Sequence, residues 1–130
     1  MRILNNHEFK QLSFPDATVS DMQLLLEEQT LVIQIDSAWL ENENLEQTSI
    51  VLKNWDTLHI RMYEHEQQQW QDVSTNSLDY LKDICEAELS ETEICLRGFG
   101  YKMGQWLEYK IQGKQLVIIC YTAVQLTLAA

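Results

Sequence analysis

The chain has 130 residues, 45% of them apolar, with nine Lys and Arg against twenty Asp and Glu, a formal net charge of −11. Length points to one domain over 1–130, and the apolar share is too high for a disordered acidic tail. The charge excludes DNA or RNA as partner, because phosphate needs clustered Lys and Arg. The longest apolar run, Leu116–Tyr121, is too short to span a membrane.

In chain order, "NNHEFKQL" predicts a short helical turn near the N-terminus. From Thr18, period-two alternation sets in. Met22, Leu24 and Leu26 share one face of a first strand, and Leu31, Ile33 and Ile35 one face of a second, with a turn at Glu27–Thr30. Pairing Leu26 with Leu31 gives one coherent apolar face, so this register is expected. "KNWDT", Lys53–Thr57, predicts a second hairpin, entered by Ile50 and Leu52 and left by Leu58, Ile60 and Met62. "EQQQWQ", Glu66–Gln71, reads as a polar loop or strand end. Asn76–Leu89 is ambiguous. Leu78, Leu81, Cys85 and Leu89 have helical spacing, and the expectation is a short helix to about Ile84 followed by a strand.

Next, Ile94, Leu96 and Gly98 alternate with Cys95, Arg97 and Phe99. The chain then turns through a glycine bend, Gly98–Gly104, into "QWLEYKI". A two-residue turn at Gln112-Gly113 would close a last hairpin, with Tyr109 opposite Leu116, Leu107 opposite Ile118 and Trp106 opposite Ile119. The class expected is mainly β (α+β), an antiparallel β sandwich or half-barrel of about seven strands with one or two short helices.

The glycines have a G-x-G-x-x-x-G spacing that invites a phosphate-binding reading. Such a loop needs a following helix whose N-terminus meets the anion. A strand-like run follows instead, so Gly98, Gly100 and Gly104 read as turn chemistry, and no cofactor is expected. His59 and His65 lie on one stripe with Arg61 and Tyr63, but six residues apart. That is roughly 20 Å along a strand, too far to share a metal held at about 2 Å. Cys85, Cys95 and Cys120 form no CxxC pair and read as reduced, inert core thiols in a cytoplasmic protein. No G-x-S-x-G elbow occurs, so no catalytic residue is assigned.

The acids are unevenly spread. Gln11–Leu52 contains no Lys or Arg but holds Asp16, Asp21, Glu27, Glu28, Asp36, Glu41, Glu43 and Glu46. This acidity either keeps the protein soluble or captures a basic protein. Trp39, placed where a hairpin ends and the acid-rich "LENENLEQ" begins, has the composition of a binding hot spot, or closes the core.

"SFPDATV", Ser13–Val19, followed by "LLLEEQTLVIQID", resembles the opening of several families of small acidic bacterial immunity proteins, in which an F-x-D-A element leads into a first hairpin. "LRGFGYKMGQWLEY", Leu96–Tyr109, is similar to a hairpin in small bacterial proteins. The resemblance implies a cytoplasmic protein that neutralises a toxin, often a basic nuclease, as in contact-dependent growth inhibition. It carries over no binding residue. The leading expectation is a non-enzymatic immunity or inhibitor protein that binds a basic toxin domain through Asp36, Trp39, Glu41, Glu43 and Glu46, with the His59, Arg61, Tyr63, His65 stripe as second surface. The rivals are a small-ligand-binding or hydrolytic β domain, and a homodimer built on an apolar face around Trp106 and Ile119.

Overall fold

Alternating apolar and polar residues produce strands with one face to bury, and two sheets bury each other's faces. The computed structural model describes residues 1–122. Among the described residues twelve strands form: β1 (Arg2–Leu4), β2 (Leu12–Ser13), β3 (Ala17–Leu25), β4 (Thr30–Leu40), β5 (Glu43–Lys53), β6 (Thr57–Glu64), β7 (Gln69–Val73), β8 (Asp83–Ile84), β9 (Glu86–Leu89), β10 (Glu93–Phe99), β11 (Trp106–Gln112) and β12 (Val117–Thr122). A seven-stranded antiparallel sheet has the order β1-β12-β5-β4-β3-β8, with β2 also on β4; a five-stranded sheet has the order β7-β6-β11-β10-β9. The excess over about seven strands comes largely from short pieces such as β1, β2 and β8. The N-terminal turn is a 3-10 helix, Asn6–Gln11, capped by Asn5 and pinned by buried Phe9.

The sandwich is stitched along one side. Two-residue β8 pairs with β3, while Lys82 N–H donates to Phe99 O at 2.9 Å and Cys85 N–H to Arg97 O at 2.8 Å. Backbone bonds thus run from one sheet into the other, which gives the molecule its half-barrel side. Ile33, Ile35, Ile50, Leu52 and Ile118 face Ile60, Ile94, Leu96, Tyr109 and Ile111 across the core. Tyr109 is fully buried and its hydroxyl donates to the backbone carbonyl of Asp79. Tyr109→Phe should therefore cost about 1–2 kcal/mol of unfolding free energy in urea, because the carbonyl loses its partner away from water. No change would mean that the hydroxyl carries no part of this anchor.

Several expected pairings are corrected. The first hairpin sets Leu24, not Leu26, opposite Leu31, and Met22 opposite Ile33. Its four-residue turn starts one residue earlier: Leu25 pairs with Thr30, Glu28 N–H meets Leu25 O and Gln29 N–H meets Leu26 O, leaving Leu26 exposed. The "KNWDT" segment is no hairpin, since β5 pairs with β4 and β12 while β6 pairs with β11 and β7. Gln112-Gly113 is likewise a passage between sheets, so Trp106 and Ile119 lie in different sheets and share no face. In both cases apolar rows expected to pair as ladder neighbours oppose each other across the core instead. Asn76–Ile84 forms no helix: the chain runs as a loop to Lys82 and then enters β8. Its Asp79 and Leu81 are drawn into contacts with the glycine bend.

Candidate functional site

The outward face of the five-stranded sheet carries a continuous polar and aromatic lattice. Alternation along β6 turns Leu58, Ile60 and Met62 inward and sends His59, Arg61 and Tyr63 outward. His65 lies beyond the end of β6, and its ring meets Tyr63 edge-on at 5.3 Å. The stripe gains its neighbours from pairing. Register sets Arg61 beside Glu108 of β11, Glu108 beside Arg97 of β10, and Tyr63 beside Trp70 of β7.

Glu108 is the centre, with only 1% of its surface exposed. Arg61 donates to it twice, at 2.6 and 3.1 Å, and Arg97 Nε donates at 2.8 Å. Arg97 also reaches Glu86 at 3.3 Å and Glu88 at 3.2 Å on edge strand β9. The Arg61 guanidinium lies 4.1 Å from the Trp70 ring centroid, a cation–π contact. His59 meets Asp72 at 2.7 Å. Burial pushes the Glu108 carboxyl pKa up, but the hydrogen bonds from Arg61 and Arg97 outweigh it and bring the pKa down to about 2. Both arginines are raised in turn, first by their hydrogen bonds to that carboxylate. Beside it, burial raises the Cys95 thiol to about 11, so it stays protonated and a poor nucleophile near neutrality. Every charge at the centre is held by another, so the arrangement suits contact and recognition better than proton transfer.

The acidic set is brought together on one hairpin, β4–β5. Leu40 pairs with Glu43, Trp39 with Asn44 and Ser37 with Glu46, which makes Glu41–Asn42 the turn. "LENENLEQ" is therefore mostly strand rather than loop. The inward row slips by one residue between Ile35/Thr48 and Ala38/Leu45, where Gln47 takes φ 49°. That kink leaves Trp39 37% exposed on the outer face. Asp36 is occupied locally, accepting from Thr18 N–H at 2.9 Å and Ser37 N–H at 2.8 Å. Glu43 pairs with Arg2 at 2.7 Å. Glu41 and Glu46 are exposed.

The glycine bend closes the β10–β11 hairpin. Gly104 takes φ +69°, whereas Gly98 lies inside β10 and Gly100 just beyond its end, where side chains would collide with Asp83 and Asp79. The Asp79 carboxylate accepts Lys102 N–H at 2.9 Å and Met103 N–H at 2.8 Å. The bend does cradle an anion, but that anion is the protein's own side chain. Next to it, a half-open cleft of about 600 Å³ is lined by Met62, Asp72, Ser74, Ser77, Asp79 and Leu107, among others. Its two carboxylates are already engaged, Asp72 by His59 and Asp79 by backbone.

Cys85 is exposed rather than core-filling, because it sits at the β8–β9 junction; burial of its sulfur and nearby Asp83 still raise its pKa to about 11. Among the described residues, no group of three His, Cys, Asp or Glu is arranged to hold a metal, and no helix is long and apolar enough to cross a membrane. Trp70, Glu108 and Arg97 are the site residues that sequence reasoning missed. The signal was present as the alternation Trp106, Glu108, Lys110, Gln112 against Leu107, Tyr109, Ile111. No protein-family model matches the chain, and neither curated proteins nor solved structures give a match.

Proposed function

We propose that this chain is a non-enzymatic immunity or inhibitor protein that binds a basic toxin domain, such as a nuclease, through its acidic surface and blocks it. The observation that supports this reading is the β4–β5 hairpin, where exposed Trp39 shares one end of the molecule with Glu41, Glu43 and Glu46. Strands β2 to β4 and most of β5 come from a stretch with no Lys or Arg, so acid there is balanced only from outside, as by Arg2 on Glu43. Complementary charge accelerates encounter with a basic protein, and a desolvated aromatic slows release. The engaged carboxylates of the cleft and the paired charges around Glu108 favour recognition over hydrolysis.

The test is retention of a basic protein from source-cell lysate by the immobilised chain at low and moderate salt. A Glu41→Lys/Glu43→Lys/Glu46→Lys variant should hold that protein at least about tenfold more weakly, with unchanged thermal unfolding. Undiminished retention by the reversed variant would contradict the acidic-surface reading.

A further inference from the structure

A strand with a neighbour on one side leaves alternate N–H and C=O groups unpaired on the other, ready for another extended chain. Most of β3 is in this state. β4 pairs with it from Val19 to Leu25. On the opposite side β8 meets Ala17 and Thr18, and Val19 N–H donates to Lys82 O at 2.9 Å. Beyond that point, no backbone group of the described residues bonds to the outer edge of Asp21–Leu25. The chain leading into β8 runs nearby, but its bonds go to the other sheet. Tyr80 O accepts Tyr101 N–H at 2.7 Å, Asp79 O accepts the Tyr109 hydroxyl, and Lys82 N–H donates to Phe99 O. These anchors hold Asn76–Leu81 off β3 and keep a gap open between them. Two half-open clefts occupy it, one of about 330 Å³ at Asp21 and Met22, the next of about 270 Å³ at Leu24, Leu26 and Leu78. Tyr80 and Lys102 line both.

We infer that this gap receives a single extended peptide, which adds a strand to the Asp21–Leu25 edge of β3 and carries apolar side chains at every second position. The occupant follows from what the gap offers. A row of unpaired backbone groups is complemented by another main chain in extended form, as in peptide recognition by strand addition. Side chains of an added strand alternate between the two faces. One set meets Leu24, Leu78 and Tyr80 and calls for apolar partners, while the other lies in solvent beside exposed Gln23. Asp21 and Lys102 line the same cleft, so charge favours neither sign here. Asp21–Leu25 also lacks the lysine and proline that blunt sheet edges, and its bulge is confined to Val19–Asp21. A second copy does not fit. Each copy's own Asn76–Leu81 stands before the edge and keeps two β3 strands from the ladder spacing of about 4.8 Å. The inference goes beyond the acidic-surface reading, because this edge and the Glu41–Asn42 turn lie at opposite ends of β4.

The probe is a phage library of random peptides about ten residues long, enough to cover the edge. It is selected on the immobilised full chain, and the selected sequences are then synthesised. They should show apolar residues at alternate positions. N-methylation of one alternate set of their amides should weaken binding at least about tenfold, and methylation of the other set should not. Saturating peptide should slow hydrogen exchange of alternate amides within Asp21–Leu25 at least about tenfold. The Glu41→Lys/Glu43→Lys/Glu46→Lys variant should bind the same peptides unchanged. Selection of no peptide, absence of the alternation, indifference to methylation of either set, or protection confined to another strand would each overturn the inference. So would loss of peptide binding in the charge-reversed variant, which would place the peptide on the β4–β5 hairpin. Protection of β3 in a chain that captures no basic protein would leave this inference standing and the acidic-surface reading fallen.

Discussion

Glu108→Ala should lower the unfolding free energy by about 4 kcal/mol in urea titration at neutral pH, more than any other charge removal among the described residues. The carboxylate is almost fully buried and satisfies both Arg61 and Arg97. Removing it leaves two partly covered guanidinium groups facing each other with no anion between them. Glu88 and Glu86 can still reach Arg97, but among the described residues only Glu108 accepts from Arg61. The wild type should also show a pH signature. The folded pKa lies at about 2, below the ordinary 4.5, so the folded state holds this group's proton less tightly than the unfolded chain. The stabilisation, about 3 kcal/mol, is fully present above the ordinary carboxylate range and is lost as pH falls toward 2. Glu108→Ala should flatten that acid limb. A loss under about 1 kcal/mol would put the triad in the class of ordinary surface pairs.

Gly98→Ala should be of similar size, about 3 kcal/mol or more, measured by chemical or thermal unfolding. A Cβ there would sit 2.1 Å from the Asp83 carbonyl oxygen and 2.7 Å from its Oδ1. The first obstacle is backbone of β8, so no side-chain rotation relieves it. Strands β8 and β10 would have to part, breaking the bonds that stitch the two sheets together, Lys82 N–H to Phe99 O and Cys85 N–H to Arg97 O. Gly104→Ala, by contrast, meets nothing within 4 Å and carries only the cost of φ +69°, about 1 kcal/mol. Equal effects at the two positions would contradict this division of labour.

Those glycines show what could be read from the residues and what could not. A strand following the bend was enough to argue against a phosphate loop, and the bend does turn the chain. That Gly98 serves close approach rather than turning depends on β8 lying against it, a neighbour more than ten residues away in sequence. The same limit explains the pairings. Alternation at Ile50, Leu52, Leu58 and Ile60 assigns each strand an apolar face. It is equally satisfied whether the two strands sit side by side or oppose each other across the core, and the fold takes the second arrangement twice. Within Asn76–Ile84, helical spacing of Leu78 and Leu81 lost to long-range bonds from Asp79. The His59, Arg61, Tyr63 stripe was legible because it needs only the period of one strand. Its partners Trp70, Glu108 and Arg97 were not, because they come from three other strands. Trp39 reached the surface through a kink in both strands of its hairpin, marked in sequence only by an ordinary glutamine at Gln47.

The proposed capture of a basic protein by an acidic exterior is tested most directly by the association rate constant against salt. In stopped-flow mixing with the retained partner, the rate should fall at least about tenfold as ionic strength rises from about 20 mM to about 500 mM, with the dissociation rate changing far less. A rate constant flat across that range would contradict it.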